Sequence, residues 1–350
     1  MWRFMLTSLV GTVILISQIW QSWPDEYVHL IFCDVGQGDA ILITSGYNQL
    51  LIDGGRGTQV LPCLEEHLPF WDRSIEVMVI THADEDHIGG LDEVLANYHV
   101  SQIITTKFDK DSDSFNSLKQ AIEIELNQGA ELIKPILGQQ IRFSQDQTPQ
   151  KWSKQHLRPA VTFTVLSPRV SQEENNVENL VTSESSLSAV ERFFSSKLAA
   201  GQNYNDLSIV LFLQVGSVRA LLVGDLEVQG ELALLESYLL QSADILKVGH
   251  HGSKTSTSDK FLEVIRPETS IISVGKANSY GHPSPEVIDR LMQFDSRILR
   301  TDEKEIIELV SDGEKYWVVG GVNNVGGSSA GGSNAGGSNK VLGFGSNLFY

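Results

Sequence analysis

Residues 78–91 read MVITHADEDHIGGL, and this stretch decides how the rest of the chain is read. Met78–Ile80 end an apolar, β-rich run that begins at Ile75, so the segment opens as a buried strand. His82, Asp84, Asp86 and His87 then follow in quick succession. Gly89–Gly90 allow a sharp turn into a helix, where Leu91, Val94 and Leu95 have helical spacing. Imidazoles and carboxylates packed so closely at the C-terminal end of a strand are poor candidates for solvated decoration, because α/β sheets carry their sites there. With side chains pointing alternately, such a loop can serve two metal ions.

Working outward, Val28–Cys33, Ala40–Thr44 and Gln49–Ile52 are short β-rich runs separated by glycine turns. Ile103–Thr105, Val161–Leu166 and the pair Leu207–Val215 and Val218–Val223 read as further strands. Helices at Val228–Leu240, Lys260–Ile265 and Pro285–Phe294 alternate with strands at Asp244–Val248, Ser270–Val274, Ile298–Arg300 and Glu305–Val310. This order predicts an α/β chain with a two-sheet core and helices on both outer faces. Asp53 and Asp225 stand just after strands. His250 and His251 close a strand, where a period of two sends them in opposite directions.

Composition narrows the function. With 26 Lys and Arg against 44 Asp and Glu, the net charge of −18 argues against a generally basic nucleic-acid surface. It leaves room for an enzyme whose metal ions supply the positive field. Hydrophobic content of 41% excludes a mainly disordered chain, and 20% charged residues exclude a polytopic membrane protein. Cys33 and Cys63 exclude a disulfide framework and a cysteine zinc cluster; they read as core fillers, with a single bridge as the alternative. Gly36-Gln-Gly38 lacks the third glycine and following helix of a nucleotide loop. His251-Gly-Ser253 lacks the glycines of a nucleophile elbow.

His82-Ala-Asp84-Glu-Asp86-His87 resembles the metallo-β-lactamase superfamily pattern His-x-His-x-Asp-His, with Asp84 in place of the second histidine. FCDVGQGDAILI at 32–43, LLIDGG at 50–55, LLVGD at 221–225, KVGHHGS at 247–253 and YGHP at 280–283 are similar, in order, to the hydrolase domain of the ComEC/Rec2 competence proteins. The resemblance covers about residues 28–310 and implies an αββα sandwich with a metal site at one edge, between the sheets. The many-helix channel domain of such proteins has no counterpart in this sequence.

The resemblance implies roles residue by residue. His82 and Asp84 should hold one ion, Asp86 and His87 the other, and Asp225 should bridge them. Asp53 should orient the loop through hydrogen bonds, with Asp39 in a fixed turn beside the site. The third-motif histidine has no counterpart; His99 and His156 read as surface residues, and Asn205 or Asp206 stands in the equivalent place to supply oxygen. His251 is expected to bind metal and His250 to touch substrate or protonate the leaving group. His282 is the alternative final ligand. Asp86, His250 and His282 are thus the expected catalytic residues. Asp84 and Asn205 make the site richer in oxygen, which favours Mn2+ or Mg2+, with Zn2+ as the alternative. Lys247, Lys254 and Lys276 lie in the same motifs and could receive a phosphate backbone. Two ions suit phosphodiester cleavage, and the resemblance to the competence hydrolases implies single-stranded DNA as the expected substrate. The alternatives are a hydrolase for another ester, such as a phosphorylcholine ester, and a non-catalytic binding module on the same fold.

At the ends, Phe4–Trp23 carries no charge, follows Arg3 and is long enough to span a bilayer. It reads as a single-pass signal anchor in a bacterial cytoplasmic membrane, with the hydrolase domain facing outward. Residues 24–319 form the expected hydrolase domain, with an insertion at about 171–204 and a helix near Leu187–Leu198. Residues 320–350, including GGSSAGGSNAGGSN at 326–339, read as a flexible tail.

Overall fold

Strict alternation along the strands writes three apolar layers into two sheets. In the computed structural model, Val28, Leu30 and Phe32 face one way, while Ile31 joins the opposite layer. On the other sheet, Leu211, Leu213 and Val215 face the first group, and Val210 and Phe212 turn outward. The structure describes residues 7–13, 23–108, 110–142, 159–168, 188–194 and 203–319.

The strands are β1 (Val28–Phe32), β2 (Ile41–Ser45), β3 (Asn48–Ile52), β4 (Ser74–Ile80), β5 (His99–Thr105), β6 (Glu131–Ile133), β7 (Gln140–Arg142) and β8 (Val161–Ser167). They continue with β9 (Val210–Val215), β10 (Val218–Leu222), β11 (Ile245–Lys247), β12 (Thr269–Ile272), β13 (Arg297–Arg300), β14 (Ile307–Ser311) and β15 (Tyr316–Val319). One sheet has the order β15-β14-β1-β2-β3-β4-β5-β6 and the other β13-β12-β11-β10-β9-β8-β7. The layer between them holds Phe32, Ile52, Val79, Phe163 and Leu222. Phe163 is fully buried there, so its truncation to Ala should cost about 3–5 kcal/mol.

Helices cover both outer faces, as expected. Val60–His67, Leu91–Asn97 and Asp113–Asn127 pack on the first sheet through Leu64, Val94, Phe115 and Leu118. Val228–Leu235, Asp259–Ile265 and Pro285–Gln293 pack on the second through Leu234, Phe261 and Leu291. Cys33 and Cys63 are bridged rather than free, which ties the end of β1 to the helix Val60–His67.

Directions matter most for function. Strand β1 is antiparallel to β2, β2 is antiparallel to β3, and β3 is parallel to β4, so β1, β3 and β4 end at the same edge. Strands β10 and β11 are also parallel. The two edges meet where the Ile209 N–H donates to the Thr81 carbonyl at 3.1 Å.

The ends of the chain correct one expectation and leave others outside the described residues. Among the described residues, no helix is long and apolar enough to cross a membrane, so the single-pass anchor and the outward-facing localisation are not supported. Only residues 7–13 of the central uncharged stretch are described as helix, and Thr7, Ser8 and Thr12 interrupt its apolarity. The tail, His156 and most of the insertion lie outside the described residues; the insertion's described helix is Ala189–Phe194.

Candidate metal centre

Three left-handed residues shape the edge where these strands end. Asp53 (φ 58°), His250 (φ 46°) and His251 (φ 53°) hold a conformation that side chains other than glycine rarely adopt. Close chain approaches surround them. A Cβ at Gly38 would lie 2.1 Å from the Asp86 carbonyl oxygen, and one at Gly90 would lie 2.4 Å from that of Gly54. Glycine at these two points lets the loops after β1, β3 and β4 stack on one another.

Asp53 organises the loop after β4. Its Oδ1 accepts from the Thr81 N–H at 2.8 Å, and its Oδ2 accepts from Thr81 Oγ1 at 2.6 Å. The same Oδ2 lies 2.7 Å from His87 Nδ1, which must donate to it. Because the Thr81 hydroxyl gives its proton to Asp53, it accepts from His82 Nδ1 at 3.0 Å. His251 Nδ1 donates to the Ser273 carbonyl at 2.9 Å. One carboxylate and one carbonyl thus fix all three rings with the Nε2 lone pair free.

Those lone pairs converge. His82, His87 and His251 are at most 1% exposed, yet the Nε2 of each has no hydrogen-bond partner, and neither do Asp225 Oδ1 and Asp39 Oδ1. Asp225 lies between the rings, with Oδ1 3.3 Å from His87 Nε2 and Oδ2 3.4 Å from His251 Nε2 and 4.0 Å from His82 Nε2. Asp86 Oδ2 is 3.5 Å from His251 Nε2. Buried polar atoms without partners are costly, and here they face one another in the pattern that a cation satisfies. His82–His87–Asp225 and Asp86–His87–His251 are each close enough to hold an ion. The donor set therefore fits divalent metal.

The electrostatics agree. Burial, helped by the neighbouring His87, pulls His82 down to about 3. Burial also opposes charge on His87 and His251, but Asp225 and Asp53 override it at His87, which rises well above the usual range. Asp225, with Asp86 and Asp39, lifts His251 to about 9. Burial works against the charge on Asp86 and Asp225, yet the histidines hold both below the ordinary carboxylate range. The buried carboxylates hold positive charge on two of the three imidazoles, the charge that a bound cation would replace.

Residues 33–112 match the family model described as the metallo-beta-lactamase superfamily. This match takes in the loop that carries His82, Asp84, Asp86 and His87. The chain is similar to ComE operon protein 3 of Bacillus subtilis, 28% identical over 294 residues, which cover 79% of this chain and 32% of that protein. It is also similar to Recombination protein 2 of Haemophilus influenzae, 28% identical over 302 residues, covering 85% of this chain and 30% of that one. The chain thus spans about a third of the length of these curated relatives. Among solved structures, the metallo-β-lactamase fold protein YhfI of Bacillus subtilis aligns with a TM-score of 0.47 at 11% identity, over 80% of this chain and 99% of that one. The family model and the two curated relatives agree with the resemblance to a metallo-β-lactamase hydrolase domain of the competence-protein type.

The structure redistributes several sequence expectations. Asp84, read as a ligand beside His82, is 3.9 Å from His82 Nε2 and forms an ion pair with Lys110 at the rim. Asn205 directs its amide nitrogen to Glu227 Oε1 at 3.2 Å and to His250 Nδ1 at 3.4 Å. Asp206 Oδ1 accepts from the backbone N–H groups of Glu227 and Gly230 and serves the helix Val228–Leu235. Asp206 is thus engaged by the helix and not by the site.

The two adjacent histidines also depart from the alternation argument. Strand β11 ends at Lys247, and Gly249–Gly252 form a 3-10 turn, so His250 and His251 both approach Asp225 Oδ2, at 3.8 and 3.4 Å. His250 Nδ1 is held by Glu227 Oε1 at 2.9 Å. His282 is half-buried with its ring 5.7 Å from that of His250, and it lies outside the ion-holding groups. Lys254 and Lys276 are exposed. Lys247 is fully buried and cannot greet a substrate. His99, as expected, is largely exposed; it pairs with Glu125 at 2.8 Å. Lys110 and Glu227 carry no local sequence signal, since each meets its partner through the fold alone.

Proposed function

We propose that this chain is a metal-dependent phosphodiesterase acting on single-stranded DNA, with two divalent ions at the edge between its sheets. The observation that carries the reading is the convergence of three unpartnered imidazole nitrogens on Asp225. When bound there, divalent ions polarise a phosphoryl oxygen and activate water. The protein's own groups supply order. Asp53, Thr81 and the Ser273 carbonyl fix the ring orientations, so loading displaces protons without turning the rings. Glu227 directs His250 Nε2 toward the Asp225 side, where it can contact a phosphate oxygen or pass a proton to a leaving oxygen.

With three imidazoles and the carboxylates of Asp86 and Asp225, the donor set suits Mn2+ or Zn2+ better than Mg2+, which prefers oxygen. Lys110, Lys254 and Lys276 supply local positive charge for an anionic strand despite the overall acidity. The similarity to Recombination protein 2 of Haemophilus influenzae supports a nucleic-acid substrate. The test incubates the purified full chain with Mn2+ or Zn2+ and labelled single-stranded DNA, RNA or bis(p-nitrophenyl) phosphate. Cleavage of the DNA that a chelator abolishes is expected. A metal-loaded protein that leaves all three intact would overturn the reading.

A further inference from the structure

Lys247 ends β11 inside the metal centre without an open route to solvent; it is 0% exposed. Its ammonium donates to the Gly224 carbonyl oxygen at 3.0 Å, pairs with Asp39 Oδ2 and stands 3.8 Å from Asp225 Oδ1. A buried ammonium persists only where anions and carbonyls hold it. Asp39 is equally fixed. Its N–H donates to the Asp86 carbonyl at 3.1 Å, and its own carbonyl accepts from the Gly55 N–H at 2.8 Å. By distance alone, Asp39 could ligate an ion with Asp225 and His251, or with Asp53 and His87. The lysine already holds Oδ2 in that corner, and Oδ1 is left 3.6 Å from the anchored Nδ1 of His251.

We propose that Lys247 is a fixed cation of the centre: it holds Asp39 out of metal coordination and confines divalent ions to the His82–His87–Asp225 and Asp86–His87–His251 side. Four carboxylates, Asp39, Asp53, Asp86 and Asp225, surround the cluster. Lys247 balances Asp39 permanently and leaves the other three carboxylates to the ions. Without the lysine, Asp39 becomes a buried carboxylate that must find another cation. This inference rests on the metal-centre reading above and makes Lys247 a positioning residue.

The test counts metal instead of turnover. Wild type, Lys247→Met and the double variant Lys247→Met/Asp39→Asn are dialysed against Mn2+ and counted by plasma mass spectrometry, with folding checked by circular dichroism. Wild type should hold no more than two ions per chain. Lys247→Met should bind one more ion, or bind Mn2+ about tenfold more tightly. The double variant should return to the wild-type count, because both charges are gone. A folded Lys247→Met with unchanged count and affinity would overturn the proposal. Loss of an ion in the double variant would do the same, since it would make Asp39 a ligand. Should Lys247→Met fail to fold, the double variant decides alone. A wild type that binds no metal would instead sink the metal-centre reading beneath it.

Discussion

Two histidine–carboxylate clusters sit in this molecule, and they solve opposite problems. In strand β1, His29 has both ring nitrogens engaged, Nδ1 with Glu308 at 2.6 Å and Nε2 with Asp25 at 3.0 Å. Burial pulls its pKa down, but the two carboxylates override this and lift it to about 9. In the metal centre, one nitrogen of each ring is anchored to the frame and the other is left bare. The first cluster is closed and can only stabilise. The second is closed on one side and open on the other, which is the design of a binding site. Counting histidines near carboxylates does not separate the two; following each ring nitrogen to its partner does.

The sharpest way to break the contrast is Asp225→Asn. It removes charge from the point where the three open rings meet, so metal affinity should fall by more than about 10²-fold, beyond what outer partners usually cost. Equilibrium dialysis with metal counting reads this, and unchanged binding would remove Asp225 from the centre. His250→Ala is expected to keep the metal count and lose about 10²–10⁴-fold in cleavage rate. Loss of an ion in that variant would move His250 among the ligands.

Asp53→Asn tests the closed side of the open cluster. The His87 and Thr81 contacts weaken, and metal should bind about 10–100-fold less tightly while the fold survives. The smallest effect belongs to His29→Gln. A histidine whose folded pKa lies above its unfolded value of about 6.5 adds stability that is full below that pH and is lost as pH rises toward 9. The cluster is partly exposed, so solvent screening limits the gain to about 1 kcal/mol. Urea midpoints of the two proteins should differ at pH 6 and merge near pH 9.5. A gap that widens with pH would reverse the sign and refute the assignment.

Much of this was legible in residues 78–91, because strand, ligands, glycines and helix are neighbours in the chain. The two-sheet order was legible for the same reason: each strand carries its own alternation. Legibility failed where the signal depends on the fold. The alternation argument for His250 and His251 assumed a strand that in fact ends at Lys247. Lys110 reaches Asp84, and Glu227 reaches His250, across intervals with no periodic relation. The Cys33–Cys63 bridge spans a separation of 30 residues that composition alone cannot pair. The helix Asp113–Asn127 is a different case. Phe115, Leu118 and Ile122 face one side, and the Ser112 side chain caps its start, so its signal was present in the sequence.

The turn that presents His250 and His251 carries a consequence for selection. Both residues hold left-handed backbone angles, each disfavoured for a side-chain-bearing residue by about 1–2 kcal/mol. Glycine would relax that strain at the partly exposed His250, whereas at the buried His251 it would also open a void. A screen for heat resistance that ignores chemistry should therefore return glycine first at position 250. The proteins it returned would be sturdier and inert. In this loop, backbone comfort and chemical competence draw on the same two residues, and a lineage can improve one only by surrendering the other.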